Sequence, residues 1–574
     1  MRSAPGLTAE SLLGGAGPTR LPGWTRTLAH ALFDSPARPS SPLPDVPFGE
    51  ILAPFLAHAR LQFNAEAQST RAVLSSAAVA SIERELGEHL SLVASLALGR
   101  MFYEFRFTRA PLAAFEEFWA QQPRSTAIYS AFVAQLRGNG LVEAFERYPV
   151  LGRLLAQSVD LWVKASARLC RRFAADWPQL QAFFGWPKGK SEGAITGLKT
   201  GLSDRHAGQT VAELSVSTGE RIIYKPRSVC PEIAFNTFLS WLNDRGLPLR
   251  LRTVRALDRR TYGWMDFVPH RPCENAGAVE RFYVRAGMLL TVLHVLAVTD
   301  IHCENLIASG EHPVIVDLET LLSQSPRQRE TVLDTGFLPR RPNAKESAVD
   351  ASALGAEETP DSDLKFPMWR QIGTDQMTFS EGSPREQELH RVQVGEKRPT
   401  VAEHLSSFRE GFRAAYECLR KNRRSLARDP LLKVFDGLEL RVLLRDSATY
   451  GRMHLHLLHP EFLEDALDRS IELEWLARPL CIRTNPSRGR VNVYEHERTA
   501  MERLDLPHFN TSAWRAMGHS PATEEAKVFG GKRGTRLLRQ RLAALSRAAC
   551  RNQLALVTRS VRLKYPAGSE ADAW

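Results

Sequence analysis

Near residue 195 the hydrophobic period of this chain changes, and that change limits the folds open to it. Upstream, from about 46 to 190, apolar residues recur every three or four positions through ILAPFLAHARLQF, IERELGEHLSLVASLALGRMFYEF and LGRLLAQSVDLWVKASARLCRRF, the spacing of amphipathic helices. Downstream, QTVAELSVSTGERIIYKPRS alternates apolar and polar residues on both sides of Ser217-Thr218-Gly219-Glu220, the mark of a β-hairpin. A helix is predicted over EIAFNTFLSWLNDRG and ends at Gly246; strand-like segments then bracket Tyr262-Gly263-Trp264. The strongly apolar helix RFYVRAGMLLTVLHVLAV runs into Thr299-Asp300, and the short strand PVIVDLETLL comes after it. Hairpin, helix, helix and short strand is an α+β order, not a βαβ repeat.

The rest of the chain is arranged around this core. Residues 1–45 are rich in Gly, Pro and Ser and read as a loosely ordered arm, followed by a helical N-terminal region over 46–190 that Trp186-Pro187-Lys188-Gly189 punctuates. The core spans 195–322. Residues 323–400 carry Pro, Gly and Ser clusters with few apolar runs, which predicts a long, partly mobile loop region. From 401 to 560 regular structure resumes with the helix HLSSFREGFRAAYECLRKNRRSL, a strand over ELRVLLRD, and further helices. No internal repeat of solenoid period is present. With 574 residues, 43% hydrophobic and 24% charged, the chain can bury a sizeable core, and wholesale disorder is excluded.

Lys and Arg outnumber Asp and Glu by 75 to 64, a formal charge of +11. Either this is a solvated basic surface or the chain meets a negatively charged partner, such as a nucleotide, a phosphopeptide or an acidic leader peptide. No block of interleaved basic and aromatic residues resembles a nucleic-acid site. The seven cysteines are scattered, with no CxxC pair and no Cys/His cluster at zinc spacing, which fits a reducing cytoplasm. The N-terminus lacks the apolar run of a signal peptide, and no stretch of about 20 apolar residues occurs to span a membrane. A cytoplasmic protein is expected.

The residues suited to chemistry stand at element ends. Asp300-Ile301-His302-Cys303-Glu304-Asn305 closes an apolar helix, and Asp317-Leu318-Glu319 follows the apolar run Val314-Ile315-Val316. Phosphoryl transfer needs an acid or His to position the nucleophile, an Asn and an Asp to hold magnesium, and a Lys to neutralise phosphate charge. Lys225, ending Ile222-Ile223-Tyr224-Lys225-Pro226-Arg227, can be that lysine. A lone lysine at a strand end is usually a surface residue, and a lone DxHxxN can be a helix terminus with its cap. Their joint order, with two acids after a β-branched run, is that of kinase-type catalytic elements. No GxGxxG or Walker A motif precedes Lys225, so phosphate cradling must differ from that of protein kinases, a freedom that lipid-kinase-like folds have.

SDRHAGQTV, IIYKPRS, TYGWMDFV, TDIHCENLIASGEHPVIVDLETLL, TVLDTGFLPR and VDASALG together resemble the dehydratase domain of class II lanthipeptide synthetases. DVPFGEILAPFLAHAR, IERELGEHLSLVASLALGRMFYEF and ERYPVLGRLLAQSVDLW are similar to that family's N-terminal region, so the likeness covers about 45 to 560. The resemblance implies a lipid-kinase-like core with large helical N-terminal and C-terminal additions. It implies enzymes that phosphorylate Ser and Thr of a ribosomally made precursor peptide with ATP and magnesium, then eliminate phosphate to leave dehydroalanine or dehydrobutyrine. By this likeness Lys225 contacts the nucleotide phosphates, Asp300 and His302 line the transfer site, and Asn305 and Asp317 hold magnesium. Glu319 belongs to the same motif, and Asp204 and His206 match another functional pair. Taken alone, Asp204 could cap a turn and His206 could be structural.

Elimination needs a base for the α-proton and cations for the leaving phosphate. The resemblance places these in an R-x-x-x-R-x-T segment, which here reads Arg441-Val442-Leu443-Leu444-Arg445-Asp446-Ser447. In a strand Arg441 and Arg445 would share one face, as a phosphate clamp requires; otherwise they are two exposed strand arginines. Ser447 stands where the family has threonine, and Thr449 lies two residues on. The chain also stops at Trp574 without a zinc constellation for the family's cyclase. Either a separate cyclase completes the ring, or the product stays linear, or the chain is a fragment. Two alternatives stand beside the dehydratase: a kinase that stops at the phosphorylated product, and a degenerate module that only binds a leader peptide. The helical region at 46–190 is a candidate for leader binding.

Overall fold

The computed structural model describes residues 21–34, 43–111, 124–187, 193–322, 330–341, 350–357, 365–382, 390–478, 488–512 and 534–566. It is a mixed α+β chain, as the change of period predicts. Helices α1 (Gly23–Phe33), α2 (Gly49–Glu66), α3 (Ser76–Arg109), α4 (Ala127–Gln135), α5 (Leu141–Arg147) and α6 (Pro149–Phe184) come first. Strands β1 (Ile195–Lys199), β2 (Ala212–Val216) and β3 (Arg221–Lys225) follow, then α7 (Cys230–Asn243), β4 (Ala256–Asp258), β5 (Gly263–Asp266) and α8 (Ala276–Val295). Next come β6 (Leu306–Ser309), β7 (His312–Ile315), β8 (Phe366–Arg370), β9 (Thr378–Gly382) and α9 (Leu405–Leu426). The chain closes with α10 (Ser447–His456), α11 (Glu461–Glu464), α12 (Ala466–Leu473), α13 (Arg488–Met501), α14 (Gly534–Ala544) and α15 (Arg547–Lys564).

These elements form two compact units, each discontinuous in sequence. The first comprises 1–223, 364–382 and 445–507; the second comprises 224–363, 383–444 and 508–574. In the first unit, Ser75 caps α3 by accepting from the Ala78 amide at 3.1 Å, and its own amide donates to the Ile195 carbonyl at 2.9 Å. That bond ties the start of α3 to β1, which pairs antiparallel with β2. The predicted turn closes as expected: the Val216 amide donates to Glu220 at 2.9 Å, and Gly219 takes φ +87°, where a side chain would be strained. Phe48, Phe102, Tyr129 and Phe132 pack ring against ring beside α4. Trp369 of β8 meets Phe48 edge-on at 5.4 Å and lies over Gly99, whose missing side chain makes room for the indole.

In the second unit α7, α8 and α9 enclose the larger core, which includes Phe238, Leu242, Phe282, Leu289, Phe408 and Phe412. Asn275 caps α8, accepting from the Ala278 amide at 3.0 Å. Helices α8 and α9 cross with main chain against main chain: a Cβ on Gly287 would lie 1.9 Å from the Phe408 carbonyl oxygen, and one on Gly411 1.9 Å from that of Val284. Strand β4 pairs with β5 in the register Leu257↔Trp264, and β6 pairs with β7 in the register Ile307↔Val314. Helix α8 therefore delivers the chain to residues 299–305, and the β6–β7 hairpin returns it to Asp317.

The structure departs from the sequence expectations in several places. Helix α1 lies within the expected arm, of which 1–20 and 35–42 fall outside the described residues. The expected loop region contains the β8–β9 hairpin, paired from Phe366↔Gly382 to Arg370↔Thr378; its segments 323–329, 342–349, 358–364 and 383–389 fall outside the described residues. Two short strands joined by seven residues give too few alternations to stand out. The strand expected over 439–446 is absent. This segment makes one isolated bridge, Arg441↔Asn510, and Asp446 then caps α10 by accepting from the Thr449 amide at 2.7 Å. The ladder is a single rung, so the argument that Arg441 and Arg445 share a strand face does not hold. The two arginines belong to different units.

Candidate active site

Strand β3 alternates so that Ile222 and Tyr224 enter the core, and Tyr224 packs on Trp264 of β5 with centroids 5.1 Å apart. Lys225, next in line, is buried as well. Its ammonium has three donors, and three acceptors meet them: Glu232 Oε1 at 3.0 Å, the Val316 carbonyl at 2.7 Å and Asp317 Oδ2 at 3.2 Å. Glu232 is fully buried in the first turn of α7, where the helix N-terminus favours a carboxylate. Asp317 is placed by β7, because the Val316 amide donates to the Asn305 carbonyl at 3.0 Å and the Glu319 amide donates to Asp317 Oδ1 at 3.1 Å.

Arg227 joins the carboxylates. Its Nη2 donates to Glu232 Oε1 at 2.6 Å and to Asp317 Oδ1 at 2.7 Å; Nη1 reaches Glu232 Oε2 at 3.2 Å, and Nε lies 3.3 Å from Glu319 Oε2. Glu319 in turn ion-pairs with Arg441, whose amide donates to the Glu319 carbonyl at 2.8 Å. Burial would push the Asp317 carboxyl up, but the Arg227 and Lys225 charges outweigh it and hold the group far below the usual carboxylate range. The same contest, with Arg227 and Lys225 again prevailing over burial, keeps Glu232 low.

Asp300 takes φ +61°, a left-handed conformation that Asp tolerates better than most residues. The loop around it is pinned from outside: Ile301 donates to the Thr335 carbonyl at 2.9 Å and Cys303 to that of Ala351 at 3.0 Å. The Asn305 amide Nδ2 donates to the Asp300 carbonyl at 3.0 Å, folding the DxHxxN segment on itself. The protein packed around the Asp300 carboxyl raises its pKa; His302 and Arg441 oppose the rise, and Glu319 and Asp317 add to it. His302 Nδ1 stands 3.6 Å from Glu304 Oε2. Lys225, Asp300, His302, Asn305, Asp317, Glu319 and Arg441 thus all lie in the second unit, six of them in one electrostatic neighbourhood with Asn305 bonded to the Asp300 main chain.

Asp204, His206, Arg445 and Ser447 lie in the first unit. His206 Nδ1 is 2.8 Å from the Leu506 carbonyl, and the Gly208 amide donates to Asp505 Oδ1 at 3.1 Å, so the SDRHAG turn is held by 505–506. Arg445 is committed to the buried Glu497, at 2.8 and 3.1 Å, and to the Leu476 carbonyl at 2.7 Å. Ser447 opens α10, and the Thr449 hydroxyl donates to its cap, Asp446 Oδ1, at 2.5 Å.

Glu232 and Arg227 were not among the sequence candidates. Both had a signal: Glu232 sits seven residues after Lys225 at a predicted helix start, and Arg227 shares the KPR triplet. Asp317 and Asn305 offer hard oxygen donors of the kind magnesium takes, and Asp317 retains 23% of its side-chain exposure. Both Asp317 oxygens are now bonded to cations, and among the described residues no three His, Cys, Asp or Glu side chains are grouped to hold a metal. The donor chemistry therefore fits a divalent cation on condition that a contact to Asp317 opens. Among the described residues no helix is long and apolar enough to cross a membrane.

The sequence pattern of the family described as a domain of unknown function, DUF4135, matches residues 148–512, and the chain belongs to that family. It is also similar to a protein of Lactococcus lactis subsp. lactis named lacticin 481/lactococcin biosynthesis protein LcnDR2, with 27% identity over 225 residues. That match covers 35% of this chain and 24% of the relative, so the chain accounts for about a quarter of the relative's length.

Proposed function

We propose that the chain acts in lanthipeptide biosynthesis and dehydrates Ser and Thr of a ribosomally made precursor peptide, by ATP-dependent phosphorylation followed by phosphate elimination. The observation that carries this reading is the buried Lys225–Glu232–Asp317 cluster, since phosphoryl transfer needs a preset cation and carboxylate at the phosphates. The name of the Lactococcus relative supports the pathway. The core would be lipid-kinase-like, with Lys225 neutralising nucleotide phosphate. Magnesium held by Asp317 and Asn305 would supply further charge neutralisation there. Asp300, beside His302, would take the proton from the attacking Ser or Thr hydroxyl as its oxygen bonds to the γ-phosphorus and ADP leaves. In elimination a base removes the α-proton, the carbon–carbon double bond forms and the Cβ–O bond to phosphate breaks, with Arg441 offering positive charge to the leaving group.

A second reading is a kinase that stops at the phosphorylated product. It is favoured by the elimination segment, where Ser447 replaces threonine and Arg445 is occupied by Glu497 and Leu476. Mass spectrometry of a candidate precursor incubated with the protein, ATP and magnesium, beside Asp317→Ala, separates the two. Losses of about 18 Da per site, absent in the variant, support the dehydratase. Gains of about 80 Da support the kinase, and no change with any precursor removes both.

A further inference from the structure

Arg227 commits every nitrogen of its guanidinium. Nε faces Glu319 at 3.3 Å; Nη1 donates to Glu232 and to the Ser228 carbonyl, at 3.2 and 2.9 Å; Nη2 donates to Glu232 and Asp317, at 2.6 and 2.7 Å. Glu232 has a second cation in Lys225, which bonds its Oε1. What Arg227 adds is a cation on Asp317 Oδ1, the carboxylate oxygen that Lys225 leaves open.

The bonded groups then balance: Glu232, Asp317 and Glu319 carry three negative charges against those of Lys225, Arg227 and Arg441. A divalent cation arriving alone meets, beside Asp300, a bonded set without net charge in which each Asp317 oxygen is covered by a positive group. A cation arriving with nucleotide phosphates brings compensating negative charge, to which a guanidinium can turn. The link between Arg227 and Asp317 is also one that can open. These side chains are 20% and 23% exposed, whereas Lys225 and Glu232 are 5% and 0% exposed.

We infer that Arg227 is a positioning residue that holds the divalent cation's place on Asp317, so that metal enters the site only together with nucleotide phosphates. The inference rests on the nucleotide-site reading of the proposed function. It gives that site an order of events: guanidinium on Asp317 in the empty state, then its release as metal and phosphates arrive together. Free magnesium would be refused.

The test is titration with Mn2+ followed by electron paramagnetic resonance, on the full chain, with and without a non-hydrolysable ATP analogue. Wild type is expected to bind Mn2+ at least about tenfold more tightly with the analogue than without. Arg227→Gln is expected to bind Mn2+ alone about tenfold or more tighter than wild type, because one bonded positive charge is gone. Arg227→Lys, which restores the charge without the fork, should move the affinity back toward wild type. An Arg227→Gln protein that melts cooperatively yet binds Mn2+ alone no better than wild type overturns the inference. If Arg227→Gln does not fold, wild type decides: tight Mn2+ binding without the analogue overturns it equally. Absence of Mn2+ binding to wild type even with the analogue removes the nucleotide-site reading itself, a distinguishable failure.

Discussion

Lys225, Arg227, Glu232, Asp317, Glu319 and Arg441 of the second unit are bonded to one another, whereas in the first unit the half-buried His89 and His454 and the buried Arg469 have no carboxylate bonded to them among the described residues. Arg469 is 1% exposed, and its Nε and Nη2, like His454 Nε2, have no hydrogen-bond partner among the described residues. Burial, then the Arg469 charge, holds His454 at a pKa of about 3; burial, then Arg205 and His454, keeps His89 well below its ordinary value. In the second unit desolvation is met by pairing; in the first, Arg445 and Glu497 pair in the same way, while His89 and His454 meet it by discharge. Pairing keeps full charges poised where chemistry can use them, and discharge leaves the fold exposed to acid.

The largest effect should come from Asp317→Ala, which removes a carboxylate contacted by both Lys225 and Arg227. Precursor modification is expected to fall by about a thousandfold or more, read by mass spectrometry. Modification at the wild-type rate would show that the paired cluster is structural. Glu232→Ala leaves the buried Lys225 and the partly exposed Arg227 short of their partner and should cost about 3–5 kcal/mol in denaturant unfolding. A cost under about 1 kcal/mol would mean that Asp317 and Glu319 suffice to hold both.

In the first unit, the unfolded His454 takes up a proton below about 6.5, while the folded one does so only near 3. Stability is therefore lost as pH falls through the interval between them, by about 2 kcal/mol from pH 6.5 to 5 for this residue. His454→Gln should flatten that dependence in denaturant midpoints, and an unchanged slope would place the acid sensitivity elsewhere. The smallest effect is expected from Ser447→Thr, which adds one methyl at the start of α10. It should change the ratio of phosphorylated to dehydrated product by no more than about tenfold. A larger rise in dehydration would mark Ser447 as the weak point of elimination.

How far the sequence could be read depended on whether a feature is local. The hairpin ending in Lys225, helix α7 and the long helix α8 each declare themselves by periodicity within a dozen or so residues, and all three form. Asp300, His302, Asn305 and Asp317 can be singled out as candidates because they stand at the ends of such elements. Arg227 was missed because nothing in KPR distinguishes a site arginine from a surface one until Glu232, Asp317 and Glu319 surround it. The segment 439–446 reads as a strand because Val442, Leu443 and Leu444 lie between Arg441 and Arg445, while the partner allowing only one rung, around Asn510, lies about seventy residues away. The Gly99–Trp369 contact that seats the β8–β9 hairpin spans a still longer separation.

At the crossing of α8 and α9 the peptide groups themselves are the surfaces in contact, through Gly287 and Gly411. Elsewhere in the core a lost methylene can be made good by a neighbour that shifts or grows. Here no neighbour can do so, because a carbonyl oxygen occupies the space where the new atom would go. The distance between the helices is therefore a fixed dimension of the molecule, insensitive to drift in the surrounding side chains. Since α8 runs directly into the segment bearing Asp300, the position of that carboxylate is inherited from a gauge cut in main chain. A single methyl at Gly287, thirteen residues from Asp300, would be felt as a misplaced acid.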